Sequence, residues 1–336
     1  MVLENTKFKL ILGLGNKDIK SALDAALLYA KAGVRFFDAA PEILPELQKA
    51  LKKAKYNIDE FVLCASAACL GDIHGRKAHI SETVCSGCMM CLKRCPEGAI
   101  TKNKKTGKCE IDQKKCIGCS VCKNTANCYA ISFEYGNNEI NNLKKLINSG
   151  FMPDMTELHA SVPDKKQIVK DFKEILSFYN GDISVCINKK QFPLEDAVKL
   201  LTELRGLHKI ASCNCGDGKK SFKFYVQADG ASMNGGAADS NSTLECILFA
   251  KELSNFGFDL IISGGTNINT PKMLDDFMET FSPNSKKPII AYGTYARKII
   301  SGKSAKEAYN AAKELFDETM KDDTARDDRD SKCIFE

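Results

Sequence analysis

Eleven of the sixteen cysteines fall between Cys64 and Cys128, and their spacing is the most chemically specific feature of the chain. Cys85-Ser86-Gly87-Cys88-Met89-Met90-Cys91-Leu92-Lys93-Arg94-Cys95-Pro96 reads C-x2-C-x2-C-x3-C-P. A second run, Cys116-Ile117-Gly118-Cys119-Ser120-Val121-Cys122, is followed by Cys128. Two-residue spacers let a turn bring three thiolates to one point, as a cubane iron–sulfur cluster requires, and in two-cluster ferredoxins the fourth cysteine of each run serves the other cluster. The pattern therefore predicts two [4Fe-4S] clusters. The first would be held by Cys85, Cys88, Cys91 and Cys128, the second by Cys116, Cys119, Cys122 and Cys95. A zinc ribbon also uses paired C-x2-C, but it has no use for a third cysteine at the same spacing or a fourth before proline. The second run is C-x2-C-x2-C-x5-C, with Tyr129 where proline usually stands. The first cluster, which would use Cys128, is therefore expected to be distorted, labile or completed by another group such as Cys109.

The elements that must position these thiols alternate in type. Apolar strand-like runs occur at Phe8–Leu12, Val34–Asp38, Phe61–Cys64, Thr156–His159, Ile183–Ile187, Phe222–Val226, Leu260–Ser263 and Pro288–Tyr292. Segments of helical periodicity follow, at Ile19–Lys31, Ile43–Ala54, Glu139–Ile147, Lys166–Tyr179, Leu194–Leu207, Thr243–Phe256, Pro271–Phe281 and Ser304–Asp317. Asp18 and Gly33 bound the first of these; Pro193 and Gly206 are read as bounding the fifth. Eight such units predict an α/β fold, a (β/α)8 TIM-type barrel, with a doubly wound sheet as the runner-up. Residues 1–80 would begin the barrel, 81–135 would be an inserted ferredoxin-like module after the third strand, 136–319 would complete the barrel, and 320–336 would be a disordered, charge-rich tail.

Barrel chemistry sits where strands end. Gly264, Gly265 and Thr266 close the seventh strand, and Gly293 and Thr294 the eighth, the usual place for a phosphate in this fold. These residues are a candidate site for FMN or a phosphorylated substrate, with tight βα turns as the plainer account. Asp229 and Asn234 follow the sixth strand and are candidate ligand contacts. Gly13-Leu14-Gly15 with Asp38 has only part of a dinucleotide fingerprint. Cys64 and Cys69 flank the segment with His74, Arg76 and Lys77 and are candidates for a redox pair or for binding a ligand between module and barrel, with buried cysteines and solvated basic residues as the plainer account. Cys213-Asn214-Cys215 is a further candidate pair.

Several of these motifs occur in one family and in the same order. The N-terminal FKLILGLGNKDIKSALDAALLYAKAGVRFFDAA, Asp72-Ile73-His74-Gly75-Arg76-Lys77-Ala78, Gln227-Ala228-Asp229-Gly230 with Met233 and Gly235, Gly264-Gly265-Thr266-Asn267, and Tyr292-Gly293-Thr294-Tyr295-Ala296-Arg297-Lys298 together resemble the cyanobacterial light-dependent period protein A (LdpA) family. The resemblance implies an iron–sulfur protein linked to redox-dependent input to a circadian clock, hence a redox-responsive regulatory protein. The stretched second cysteine run departs from the family's usual spacing.

Composition sets the remaining bounds. The chain has 336 residues, of which 44% are hydrophobic and 27% charged, with a net charge of +5, as in an ordinary globular protein. The mild charge gives no expectation of nucleic acid as a partner. No apolar run long enough to span a bilayer is present, no signal segment is read, and a cytoplasmic protein is expected. Residues 81–135 hold nine Lys/Arg against five Asp/Glu, which favours an acidic redox or regulatory partner.

Overall fold

The computed structural model describes residues 6–13, 18–126, 128–135, 139–213, 222–230 and 240–321. Three strands, β1 (Phe8–Ile11), β2 (Phe36–Ala39) and β3 (Val62–Ala68), begin a barrel. Four short strands, β4 (Arg76–Ile80), β5 (Ile100–Lys102), β6 (Cys109–Ile111) and β7 (Ile131–Tyr135), then form the inserted module. Five more, β8 (Met155–His159), β9 (Asp182–Asn188), β10 (Phe224–Asp229), β11 (Asp259–Ser263) and β12 (Ile289–Tyr292), complete the barrel. It is a closed ring of eight parallel strands in the order β1-β2-β3-β8-β9-β10-β11-β12. Leu10 opposite Tyr292 closes the ring, and Ala65 opposite Thr156 joins β3 to β8 across the insertion.

The helices are α1 (Ile19–Ala32), α2 (Leu44–Lys53), α3 (Met90–Arg94), α4 (Val121–Ala126), α5 (Glu139–Asn148), α6 (Lys165–Leu176), α7 (Leu194–Cys213), α8 (Ser240–Ser254), α9 (Thr270–Met278), α10 (Thr294–Ile300) and α11 (Ala305–Met320). All but α3 and α4 lie outside the module. Their ends follow from side chains that satisfy free backbone groups. Asp18 accepts from Ser21 N at 3.2 Å to open α1, and Gly33, at φ +120°, ends it. Ser304 and Glu307 form a reciprocal capping box on α11. Among the described residues no helix is long and apolar enough to cross a membrane.

Strand alternation divides the core in two. Leu10, Phe37, Leu63, Leu158, Val185, Val226, Ile262 and Ile290 pack under the helices. Phe36, Val62, Cys64, Met155, Tyr225, Ile261, Ile289 and Ala291 make an apolar floor inside the barrel. Above that floor the interior turns polar. The fully buried Lys9 donates to Gln227 Oε1 at 2.9 Å and is ion-paired with Asp38 and Glu157. Gln227 Nε2 and Ser184 Oγ each donate to Glu157 at 3.2 Å, and Ser66 donates to Asp38.

Several boundaries differ from the sequence reading. The sixth barrel strand runs on to Asp229, because Gln227 and Asp229 are inward-facing residues of a polar interior rather than a loop. Helix α7 continues past Gly206 to Cys213. An additional helix, α10, precedes α11. The inserted unit begins at Arg76, since β4 pairs antiparallel with β7 rather than with the barrel. Residues 322–336 of the proposed tail lie outside the described residues, and Met320 ends α11.

Replacing Lys9 with Met would strand Asp38 and Glu157 as buried charges without their cation. The expected cost is about 3–5 kcal/mol, read as a lowered denaturant midpoint. An unchanged midpoint would mean that the carboxylates are not held by Lys9.

Candidate metal centre

The two cysteine runs have the same backbone pattern. Gly87 and Met89 in the first, and Gly118 and Ser120 in the second, all have φ between +63° and +73°. Left-handed residues alternating with right-handed ones turn successive N–H groups toward a common concavity, which suits an anionic group. Met89 and Ser120 bear side chains in that conformation, a local strain of about 1–3 kcal/mol each. Each run then enters a short helix, α3 or α4, and the strand pairs β4–β7 and β5–β6 close over the thiols.

Cys122 is surrounded by Cys119, Cys116 and Cys95, and these four line one small cavity with Pro96, Gly118, Ile100 and Phe133. Burial and those neighbouring thiols push Cys122 up to about 12. Ala78 N donates to Cys116 Sγ at 3.4 Å and Ala99 N to Cys95 Sγ at 3.3 Å. A sulfur-only donor set with N–H bonds to sulfur fits an iron–sulfur cluster, whose negative charge such donors stabilise.

The other set gathers Cys85, Cys91 and Cys128, with Cys88 on the exposed side. Cys109 lies among them, hydrogen-bonded with Cys91, and burial pushes it up to about 12. Five thiols therefore share this region. The long spacer before Cys128 is taken up by α4, one residue longer than α3, and Cys128 N returns to Lys123 O at 3.2 Å. Tyr129, in proline's usual place, is exposed.

The module is fastened to the barrel at two points. Gly118 lies so close to the connector after β3 that a Cβ there would come within 2.4 Å of Arg76 O and 2.8 Å of Ile73 O. Where β4 leaves that connector, Arg76 Nε donates to Gly118 O at 3.2 Å, its other arm to Ser120, and Lys77 donates to Cys116 O, which holds the loop to the module's own first strand. On the opposite side Glu97, two residues after Cys95, pairs with Arg297 at 3.8 Å, and Arg297 Nη1 donates to Ile11 O at 2.8 Å. The set Cys95, Cys116, Cys119 and Cys122 is thus the one nearer the barrel.

Behind the first fastening is a group that the cysteine pattern does not reveal. Asp72, fully buried, accepts from His74 N and His74 Nδ1 with one oxygen, both at 2.9 Å. With the other it accepts from His159 Nδ1 at 2.9 Å and Ser161 N at 2.6 Å. The two imidazoles lie 3.9 Å apart, centre to centre. Burial opposes ionisation of Asp72, but the two histidines outweigh it and hold the carboxyl well below the usual range. Burial lowers His159 too, yet Cys186 and Asp72 beside it leave it raised. His74 is lowered by burial and by His159. Asp72 and His74 belonged to a motif legible in sequence; His159 carried no signal, because only strand pairing brings it there.

The phosphate candidates are not brought together. A Cβ on Gly264 would meet Asp229 Oδ1 at 2.0 Å, and one on Gly265 would meet Ser242 Cβ at 2.4 Å, so these glycines serve close packing against the β10 turn and α8. Thr266 donates to Ala291 O. Gly293 caps the short α10, and Thr294 lines a cleft between module and barrel with Lys20, Lys115, Arg297 and Lys298. Asp229 accepts from Ser263 at 3.2 Å and Asn188 at 3.4 Å inside the barrel. Asn234, Gly15, Asn214 and Cys215 lie outside the described residues. Asp38 is committed to Lys9 and Ser66 rather than to a nucleotide.

Residues 149–323 match the family model of the light dependent period A C-terminal domain, and residues 78–101 match the 4Fe-4S binding domain. The uncharacterized ferredoxin-like protein YdhY of Escherichia coli K12 is 41% identical over 54 residues, 16% of this chain and 26% of that protein. Its counterpart in Shigella flexneri gives the same figures. The chain thus spans about a quarter of the length of these relatives. Among solved structures, an apo form assigned as a deoxyribose-phosphate aldolase from Toxoplasma gondii ME49 is 12% identical, with TM-score 0.43 over 95% of this chain and 94% of that one.

Two outcomes follow from the geometry. Gly118→Ala should loosen the module, costing about 1–3 kcal/mol, seen as a lower thermal midpoint and faster proteolysis between β3 and β4 under anaerobic conditions. Asp72→Asn should flatten the pH dependence of stability. The lowered Asp72 contributes above about pH 4 and loses its effect as pH falls further. The raised His159 contributes fully below about pH 6.5 and loses its effect as pH climbs through its folded value. Urea midpoints across that range measure both limbs, and wild-type limbs surviving in the variant would refute the pairing.

Proposed function

This chain belongs to the light dependent period A (LdpA) family, and on that footing we propose that it is a two-cluster electron-relay protein that reports redox state. The observation that carries the reading is the polarity of the module: one cysteine set with the exposed Cys88, the other packed at the barrel mouth through Gly118 and Glu97. Bound clusters supply one-electron exchange. The residues around them supply direction. Lys93, Arg94, Lys102, Lys104 and Lys105 are exposed on the module and suit an acidic carrier or regulatory partner. Gly118 seats the barrel-side loop against the connector after β3, and Arg297 links Glu97 to the end of β1, so a change of charge at Cys116–Cys122 would be felt by Ile73–Arg76 and by α10. That coupling is the proposed sensing step.

A second reading, a barrel oxidoreductase fed by the clusters with FMN or a phosphorylated substrate, is favoured by the cleft that Thr294 lines with Lys20, Lys115, Arg297 and Lys298, although Asp18, Asp24 and Glu97 line it too. Flavin in anaerobically purified protein would favour it; iron and sulfide alone favour the relay.

Cys95→Ala should halve iron and sulfide after anaerobic reconstitution and remove one signal from the EPR spectrum of the reduced protein. Unchanged iron would refute the ligand assignment. Electron uptake from an acidic one-electron carrier should slow as salt rises, and slow further with Lys102, Lys104 and Lys105 replaced by Glu; salt-independent uptake would refute docking on the basic face.

A further inference from the structure

The barrel interior holds a second group of reactive side chains that the cluster reading does not use. His159 ends β8, Cys186 is its direct partner in register on β9, and Asp229 ends β10 with Asn188 beside it. His74 reaches the same place from the connector after β3. Strand ends on this face are where barrel enzymes carry their chemistry. Both histidine side chains retain some exposure, 17% for His74 and 11% for His159, so they border the mouth rather than lie sealed beneath it.

Asp72 sets how each ring presents itself. Each Nδ1 is 2.9 Å from a different oxygen of one carboxylate, so each ring turns its Nε2 away from Asp72, and the Cys186 thiol lies within hydrogen-bond reach of the His159 ring. The three side chains also lie close enough to hold a cation. The two backbone N–H groups that Asp72 accepts, from His74 and Ser161, together with both Nδ1 atoms, already occupy its oxygens, so it is placed to orient the rings.

We propose that His74 and His159, positioned by Asp72, form a proton-transfer site at the barrel mouth for a small carbonyl compound with an acidic neighbouring C–H. Such a compound requires a base at carbon and a proton donor at oxygen together. The opposite displacement of the two histidines, His74 lowered and His159 raised, assigns those roles. His74 Nε2 takes the proton as the C–H bond breaks. The C–H electron pair forms the C=C bond, the carbonyl π pair moves to oxygen, and His159 gives that oxygen a proton. Reversal returns a proton to carbon. No electron leaves the ligand, so the step draws none from the clusters. Asp229, held by Asn188 and Ser263, is near enough for both histidines to act on its carboxyl.

Dihydroxyacetone serves as the probe: holoprotein in D2O, deuterium entering the probe followed by proton NMR. Wild type should exceed the protein-free rate, with at least a tenfold loss in His159→Gln and in His74→Gln. His79→Gln, on the exposed face of β4, should keep the wild-type rate. Iron and sulfide measured on the same preparations separate a failure of this proposal from a failure of the cluster reading. If His159→Gln fails to fold, His74→Gln decides, since His74 stands on the connector after β3 and not in a barrel strand. A wild-type rate equal to that of His74→Gln, or to the protein-free rate, overturns the proposal.

Discussion

The architecture depends on the close approach between the loop that carries Cys116, Cys119 and Cys122 and the connector that leaves β3. Gly118 presses against the carbonyls of Ile73 and Arg76, where no other residue fits without movement. That one contact sets which cysteine set is barrel-side, orients Arg76 over Phe133 at 4.4 Å, and fixes the connector that presents Asp72 and His74. A 4Fe-4S binding module placed here adjoins the C-terminal face of the barrel, the face on which the fold gathers its reactive groups.

The barrel itself is unusual in what it buries. An apolar floor of Phe36, Val62, Met155, Tyr225 and Ile289 meets the expectation for a packed interior. Above it stand Lys9, Asp38, Glu157 and Gln227, then His159, Cys186, Asn188 and Asp229. Burial and the nearby Glu157 push Asp38 up to about 6, while Lys9 and His159 outweigh burial at Glu157 and lower it. Apolar side chains of similar size would hold a barrel at no such electrostatic cost. The polar column has its outlet at the mouth, where the two histidines share Asp72.

Much of this was legible from residue order. The cysteine spacing and the strand–helix alternation are local properties, set by neighbours a few positions apart. The end of β10 was misread for the same reason: Gln227 and Asp229 look like loop residues to any local criterion, and only a polar barrel interior makes them strand. Gly206 likewise looked like a helix terminus, yet α7 continues through it. The glycines at 264 and 265 suggested a phosphate cradle, whereas their lack of a side chain serves the approach of Asp229 and Ser242.

By itself the sequence determined the donor chemistry, two thiol sets with ligand spacing, and the class of scaffold, since hydrophobic period and cysteine spacing are short-range and written directly in residue order. Tertiary structure alone decided that Cys109 joins the outer thiols, that Glu97 meets Arg297, and that His159 shares Asp72 with His74. Those contacts link positions as much as 200 residues apart in the chain. They exist only because parallel strand register and barrel closure bring separate segments to one rim, a constraint that no local pattern encodes.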